Sequence, residues 1–181
     1  MAPEEPPVDM ANTFTQIYLH FVFAVKHREN VIKKEYKEEL HKYITGLVRN
    51  RNAKLLAVHC MPDHIHLFVG IKPTVLISDF IKEIKVESNE FINSKKWVKG
   101  KFAWQEGYGA FSYSHSQLGA VINYIANQEV HHKKATFKHE YLELLKEFEI
   151  SFDEKYLFDL ILLNSIIGGS YGAGYPLLVL L

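Results

Sequence analysis

The chain has 181 residues, of which 48% are hydrophobic and 23% are charged. This size and composition are typical of one globular domain, and they exclude collagen-like, coiled-coil and wholly disordered classes. Basic and acidic residues number 21 each, so the formal net charge is zero, and the single cysteine, Cys60, excludes an internal disulfide and a structural zinc site built from several thiolates. We therefore expect a cytoplasmic protein.

The first segments of the chain differ sharply in composition. Residues 1–9 are acidic and rich in proline, without the basic and apolar regions of a signal peptide, and we expect a flexible N-terminal extension. Residues 13–25 combine β-branched and aromatic side chains with polar residues at alternate positions, a pattern that predicts a long strand. Apolar residues three and four apart within 33–49 predict the first helix.

Two further strands are predicted at residues 54–60 and 65–71. The intervening Met61-Pro62-Asp63 segment contains proline and aspartate, which favour turns, so the two strands should form a hairpin.

After Pro73, apolar spacing predicts a second amphipathic helix that ends near Asn93. The glycines and aromatic residues of 104–111 predict a loop that enters a short strand at 110–113.

The last predicted elements are helical. The Ser114-His115-Ser116 segment offers a cap for a third helix, whose apolar face includes Leu118, Val121 and Ile125, and a final helix is predicted at 136–148. The order strand, helix, strand, strand, helix, strand, helix predicts an α+β protein. We expect a ferredoxin-like (RRM-like), mainly antiparallel sheet with helices packed on it.

Residues 160–181 form a run of 22 residues without a charge. The run is about as long as a membrane span, but Asn164, Pro176 and four glycines interrupt it. We interpret it as an uncharged C-terminal tail of uncertain origin and expect no stable membrane association. The predicted domain then covers residues 10–159.

Charge is distributed unevenly along the chain. Residues 26–138 contain 19 Lys and Arg against 11 Asp and Glu, an excess of eight positive charges, whereas the remainder contains 2 against 10. Eight of the ten histidines lie in the same basic segment. This asymmetry indicates a partner that carries phosphate, although solvated helix faces also accumulate lysines.

The His64-Ile65-His66 triplet lies in the third predicted strand. Residues two apart on a strand project from the same face, so both imidazoles point one way and Ile65 the other. Neutral imidazole is a good ligand for divalent metals, and the pair supplies part of a metal site. The alternative is a histidine pair that is simply hydrogen-bonded at the sheet surface.

The Tyr124-Ile125-Ala126-Asn127-Gln128 segment belongs to the third predicted helix. Tyr124 and Gln128 are four residues apart and share a face, so a phenol and an amide can reach one small volume. The amide oxygen can complete a metal site and the phenolate can attack an electrophile. The alternative is that Tyr124 belongs to the core or its rim.

Three motifs occur together in this chain: Met61-Pro62-Asp63-His64-Ile65-His66-Leu67-Phe68-Val69, Trp104-Gln105-Glu106-Gly107-Tyr108-Gly109-Ala110-Phe111-Ser112 and Tyr124-Ile125-Ala126-Asn127-Gln128-Glu129. In this order they resemble the single-tyrosine HUH transposases of bacterial insertion sequences and their REP-associated relatives, the IS200-like superfamily. The resemblance covers residues 10–159 and neither end of the chain.

The resemblance implies an enzyme that cuts and rejoins single-stranded DNA through a covalent 5′-phosphotyrosine, with Mg²⁺ or Mn²⁺ as cofactor. It makes His64, His66 and Gln128 metal ligands and Tyr124 the nucleophile. His131, three residues after Gln128, is a rival third ligand. Because two imidazoles ordinarily favour zinc or copper, selection of magnesium would depend on oxygen ligands and on availability.

The resemblance also implies DNA hairpins at element ends as partners, and a homodimer in which the tyrosine helix of one subunit completes the site of the other. Candidate DNA-binding residues are basic side chains for phosphates and two aromatic rings for unpaired bases: Lys26, Arg28, Lys95, Lys96, Lys99 and Lys101, with Trp104 and Tyr108.

Two other functions compete with a strand transferase. One is a non-catalytic, domesticated protein that binds a DNA hairpin, and the other is a metal phosphodiesterase that uses activated water. The presence of both histidines, the tyrosine and the glutamine favours catalysis.

Overall fold

The computed structural model describes residues 14–153 and Leu157, and within them the chain folds around one four-stranded sheet. Strands β1 (Ile17–Ala24), β2 (Lys54–Cys60), β3 (His64–Ile71) and β4 (Gly109–Tyr113) lie in the order β2-β3-β1-β4. Every neighbouring pair is antiparallel. This order is that of a ferredoxin-like sheet and confirms the predicted α+β class.

The α-helices of the described chain are α1 (Lys34–Asn50), α2 (Ile77–Ser94), α3 (Leu118–Ala126), α4 (Gln128–His131) and α5 (Phe137–Glu147). Helices α1, α2, α3 and α5 confirm the predicted helices to within a few residues at each end, whereas α4 was not predicted as a separate helix. Ser114 forms a capping box with Gln117 ahead of α3. The first strand is shorter than predicted, because its pairing with β3 begins only at Ile17.

The two faces of the sheet are covered by different helices. Alternate side chains of β1 and β3, such as Phe21, Ile65 and Leu67, enter a buried cluster with the apolar faces of α1 and α2. The opposite face carries Val22 under α5 and Phe68 under α3. Alternate residues of β3 therefore face α1 and α2, and the residues between them face the C-terminal helices.

The predicted N-terminal extension at 1–9 and the uncharged tail at 160–181 lie outside the described residues. Across the residues that are described, no helix combines the length and the apolar character needed to cross a membrane.

The helix α2 provides a matched test of the core. Ile84 is fully buried in the cluster beneath α1 and α2, whereas Val86, on the same helix, is 47% exposed. Ile84→Ala is expected to lower the free energy of unfolding by about 2–5 kcal/mol, because it removes buried methyl groups and leaves a cavity. Val86→Ala should change it by less than about 0.5 kcal/mol.

Urea denaturation of both variants and the parent chain at one pH measures these differences. Equal destabilisation by the two substitutions would contradict the assignment of this sheet face to the main core.

Candidate active site

His64 and His66 lie at the start of β3, on the sheet face that α5 covers, and both are almost completely buried. The turn at 61–63 places them there, since the backbone N–H of Met61 donates to the carbonyl of His64 at 2.8 Å. Ile65 points into the opposite cluster, as the alternation of a strand predicts. The two imidazole centroids are 5.0 Å apart.

An acidic side chain orients His64 from outside. The Nδ1 atom of His64 lies 2.7 Å from Oδ1 of Asp63, and the other Asp63 oxygen accepts a bond from Arg28 Nε at 3.0 Å. Burial lowers the pKa of His64 to about 3, and Asp63 only partly offsets that effect. Burial alone would raise the pKa of Asp63, but His64 and Arg28 lower it to about 2. The pair is therefore an ionised carboxylate that holds a neutral imidazole.

His66 is held by a second histidine, His20, which was not among the predicted site residues. The Nδ1 atom of His66 lies 3.0 Å from Nε2 of His20, on the neighbouring strand β1, and their rings stack. Burial is the main cause that lowers the pKa of His20 well below its ordinary value, and the neighbouring His66 adds to it. A polar residue among the apolar positions of β1 was the signal in the sequence, but only the register of β1 against β3 shows its partner.

Glu140, on α5, contacts the other polar side chains of the site. Its carboxylate is buried, with 2% of its side chain exposed, and its Oε1 atom accepts hydrogen bonds from the Tyr124 hydroxyl and from Nε2 of Gln128, the latter at 2.9 Å. The same oxygen lies 3.6 Å from Nε2 of His66. Tyrosine, glutamine and the histidine pair therefore surround one carboxylate.

The protonation states of Tyr124 and Glu140 follow from their surroundings. Burial, and then the adjacent Glu140 carboxylate, raise the pKa of the Tyr124 hydroxyl well above its ordinary value. Burial would also raise the pKa of Glu140, but His66, His132 and Tyr124 outweigh it and hold that pKa well below its usual range. Tyr124 is thus a neutral donor to an ionised acceptor.

Tyr124 and Gln128 were predicted to lie on one helix, but they belong to two, α3 and α4. Helix α3 ends at Ala126, and α4 begins at Gln128 after Asn127, whose side-chain amide donates to the Asn123 carbonyl at 2.8 Å. Such a local side-chain bond competes with regular helix geometry. Both side chains nevertheless reach Glu140.

Four residues of the site form a group of potential metal ligands: His64, His66, His132 and Glu140. Each offers one atom, and these atoms lie within 4.8 Å of one another. The three Nε2 atoms and Oε2 of Glu140 are buried without a hydrogen-bond partner. Three imidazole nitrogens and a carboxylate oxygen are a donor set that suits a divalent metal, so the residues present fit such an ion.

The predicted ligand set overlaps this group only in part. Gln128 is fully buried, and its Oε1 atom has no partner, while its amide nitrogen binds Glu140. His131, the rival, has its Nε2 atom 3.8 Å from Oε1 of Glu140 but does not belong to the group, which contains its neighbour His132.

Glu140 was missed although the sequence contains a signal for it. It lies three residues after Phe137 and four before Leu144, both buried on α5. An acidic residue within the apolar stripe of an amphipathic helix is unusual, because a buried carboxylate needs partners.

The predicted phosphate-binding residues lie in different surroundings. Lys26, Lys96, Lys99 and Lys101 are exposed, and the Lys26 backbone N–H donates to the Ala103 carbonyl, which brings the end of β1 beside the segment after α2. Lys95 pairs with Glu39 at 2.6 Å. Arg28 is largely buried against Asp63 and above the ring of Phe137, so its guanidinium faces the histidine site.

The two aromatic candidates also differ. Trp104 is buried, its ring packs edge-on against Phe23 and Phe102, and its Nε1–H donates to Ser88 at 3.0 Å. A base cannot stack on a ring packed in this way, so the expectation for Trp104 does not fit its position. Tyr108 is 38% exposed and lines a cleft of about 370 Å³ between α2 and residues 103–108.

Comparison with known proteins supplies the context for this geometry. The family model "Transposase IS200 like" matches residues 13–128. The ISDra2 transposase TnpA of Deinococcus radiodurans is 25% identical over 118 residues, which are 62% of this chain and 84% of that protein. The transposase of the IS200 insertion sequence from Salmonella typhimurium is 27% identical over 104 residues, covering 55% of this chain and 68% of the relative.

A solved structure shares the fold. The REP-associated tyrosine transposase bound to a REP hairpin aligns with a TM-score of 0.52 and 14% identity, covering 99% of this chain and 100% of that one. The family match covers well over half of the chain and includes both histidines, Tyr124 and Gln128. The chain therefore belongs to the IS200-like transposase family.

Proposed function

We propose that this transposase cuts and rejoins single-stranded DNA, with Tyr124 as the nucleophile and a divalent metal at the histidine pair. The observation that carries the proposal is the convergence on Glu140: the Tyr124 hydroxyl donates to a carboxylate oxygen that lies 3.6 Å from Nε2 of His66. The centroid of the Tyr124 ring is 6.0 Å from that of His66. A phenol beside potential metal ligands is the arrangement that phosphodiester attack by a side chain requires.

The reaction that we propose is a transesterification. The Tyr124 oxygen forms a bond to phosphorus as the bond from phosphorus to the 3′-oxygen breaks, and the phenol loses a proton while the leaving oxygen gains one. The products are a 5′-phosphotyrosine and a free 3′-hydroxyl. A second DNA 3′-hydroxyl reverses the step and joins new ends, since the phosphate ester to tyrosine preserves the bond energy.

The residues around the phenol have separate roles in this proposal. His64, His66 and Gln128 hold the metal, for which Mg²⁺ and Mn²⁺ are the proposed ions. A divalent ion there would neutralise phosphate charge and allow a nucleophile to approach the anion. Glu140 fixes the direction of the Tyr124 hydroxyl, and the Asp63–His64 contact fixes the ring of one ligand.

We propose DNA hairpins as the substrates, because the REP-associated tyrosine transposase that shares this fold is bound to one. The exposed lysines near the ends of β1 and α2 would contact phosphates, and Tyr108 would stack an unpaired base. Phosphate contact by the ion-paired Lys95 would require it to leave Glu39.

We also propose a cytoplasmic homodimer. Within one chain Tyr124 already lies beside the histidine pair, so no exchange of helices is needed to bring them together. Completion of the site by the partner subunit would require the segment around Asn127 to swing outward with α3 and α4.

Metal binding should be visible as a gain in stability. Adding Mn²⁺ to chelator-treated protein is expected to raise Tm, because a ligand that binds only the folded state at a hundredfold excess over Kd adds about 2.7 kcal/mol. Scanning calorimetry with and without the ion measures this gain. The variant His64→Ala/His66→Ala should lose most of it, whereas His139→Ala, an exposed histidine on α5, should keep it.

An equal gain in the double variant would place the ion elsewhere. Restoration of strand cleavage by zinc, but by neither magnesium nor manganese, would contradict the proposed cofactor.

Tyr124→Phe tests the nucleophile. The full chain, incubated with a single-stranded DNA hairpin and Mn²⁺, should form a covalent protein–DNA band on a denaturing gel, and the variant should form none, because it lacks the attacking oxygen. Tyr108→Phe serves as a control that keeps a ring on the surface. Cleavage that survives in Tyr124→Phe would indicate a phosphodiesterase using water, and tight binding of parent protein without any band would indicate a non-catalytic binder.

The histidine pair should act on the reaction more than on DNA binding. His64→Ala or His66→Ala is expected to abolish adduct formation while leaving the hairpin Kd within about threefold, since metal-based stabilisation is concentrated in the transition state. Fluorescence anisotropy with labelled hairpin gives the Kd. Parallel losses of binding and cleavage would show that the pair belongs to the DNA-binding surface instead.

A further inference from the structure

We infer that His132 and Glu140 are metal ligands together with His64 and His66, so that the ion is held between the sheet and the C-terminal helices. This deepens the proposed function, on whose metal site it rests. Both residues lie beyond residue 128, where the family match ends. The assignment depends on which nitrogen of each imidazole carries a proton, and for His64 and His132 the outer hydrogen-bond partners determine that.

Two of the imidazoles have outer partners that can only accept. Nδ1 of His64 faces the carboxylate of Asp63 at 2.7 Å, and Nδ1 of His132 faces the carbonyl of Ala135 at 3.0 Å. Each Nδ1 must therefore carry the proton, and in a neutral ring the lone pair is then on Nε2. A ligating histidine in proteins characteristically donates its other N–H to a carboxylate or a backbone carbonyl.

The third imidazole has the same orientation. Nδ1 of His66 is occupied by Nε2 of His20 at 3.0 Å, so Nε2 of His66 is again the nitrogen that faces the site. Three Nε2 atoms, from β3 and from the end of α4, thus point into one buried volume. None of the three has a hydrogen-bond partner.

Glu140 presents one oxygen to donors and the other to these nitrogens. Its Oε1 atom accepts from Tyr124 and Gln128, whereas Oε2 has no hydrogen-bond partner. Oε2 lies 3.0 Å from Nε2 of His132 and 3.9 Å from Nε2 of His64, without the alignment of a hydrogen bond. These buried atoms lack compensation, which either a cation among them or a proton on Nε2 of His132 would supply.

The competing reading is an ion pair in which His132 is protonated on Nε2 and neutralises Glu140. That arrangement would balance the charge of the carboxylate without a metal, but it would leave Nε2 of His64 and of His66 buried and unpartnered. The two readings differ in one measurable respect: only ligation makes metal affinity depend on His132.

The donor set also indicates the class of metal. Even with oxygen ligands from Glu140 and Gln128, three imidazole nitrogens favour a transition metal such as Mn²⁺, Co²⁺ or Zn²⁺ over Mg²⁺, which prefers oxygen ligands. Of the two proposed cofactors, Mn²⁺ should therefore bind more tightly.

The test is metal titration of the full chain without DNA. Chelator-treated protein is titrated with Co²⁺, followed by its visible absorption, and with Mn²⁺ and Mg²⁺, followed by calorimetry. Glu140→Gln keeps the shape of the side chain, and His132→Asn keeps a donor for Ala135 while removing Nε2. Each should weaken Co²⁺ and Mn²⁺ binding by at least about tenfold, and His132→Asn should alter the Co²⁺ spectrum.

Two neighbouring histidines serve as controls. His139→Ala, on the same helix as Glu140, and His131→Ala, beside His132, should each leave the metal Kd within about twofold. Thermal melts without metal check that every variant folds, and a variant that fails this check is replaced by His132→Ala or Glu140→Ala.

Unchanged metal affinity in folded His132→Asn and Glu140→Gln would overturn the inference, as would a loss confined to His131→Ala. The outcome is separable from that of the proposed function. Tight metal binding that depends on His132, in a protein that forms no Tyr124 adduct, would support the ligand set and reject the strand transferase.

Discussion

The alternation of side chains along β3 is the constraint on which the rest of the structure depends. Because successive residues face opposite ways, the same eight-residue strand contributes Ile65 and Leu67 to the cluster under α1 and α2, and His64 and His66 to the face beneath the C-terminal helices. A shift of one residue in register would exchange these sets, burying two imidazoles among aliphatic side chains. The large apolar cluster on one face therefore fixes the position of the polar site on the other.

Glu140 turns that polar face into one connected site. A buried carboxylate is unfavourable unless donors or cations surround it, and here Tyr124, Gln128 and the histidines do so. In turn, the Glu140 carboxylate fixes the directions of the Tyr124 hydroxyl and the Gln128 amide. The outer contacts made by Asp63 and His20 extend the network beyond the residues nearest the carboxylate.

Much of this architecture was predictable because it follows from local patterns. Period two in β3 predicted the shared direction of His64 and His66, and period 3.6 with turn residues predicted the helices and the hairpin. The resemblance to HUH transposases, confirmed as a family by the comparisons, supplied Tyr124 and Gln128.

The parts that were missed depend on contacts between residues distant in sequence. The partnership of His20 with His66 follows from strand register, and the approach of Glu140 follows from the docking of α5, neither of which is a local property. His131 was named as a rival to Gln128 because it lies three residues later, but the group of potential ligands contains its neighbour His132 instead. Trp104 was proposed as a base-stacking residue from the family resemblance, yet its side chain completes the core beside Phe23.

The order in which these side chains occur along the chain has a consequence for biosynthesis. The sheet strands are complete once Tyr113 has been made, whereas the carboxylate that gathers the phenol, the amide and the imidazoles belongs to a helix that follows all of them. A nascent polypeptide that has left the ribosome only as far as α4 has its strands and the His64–His66 pair but lacks this carboxylate. Assembly of the centre therefore waits until α5 has been synthesised, so a shorter nascent chain has no finished site.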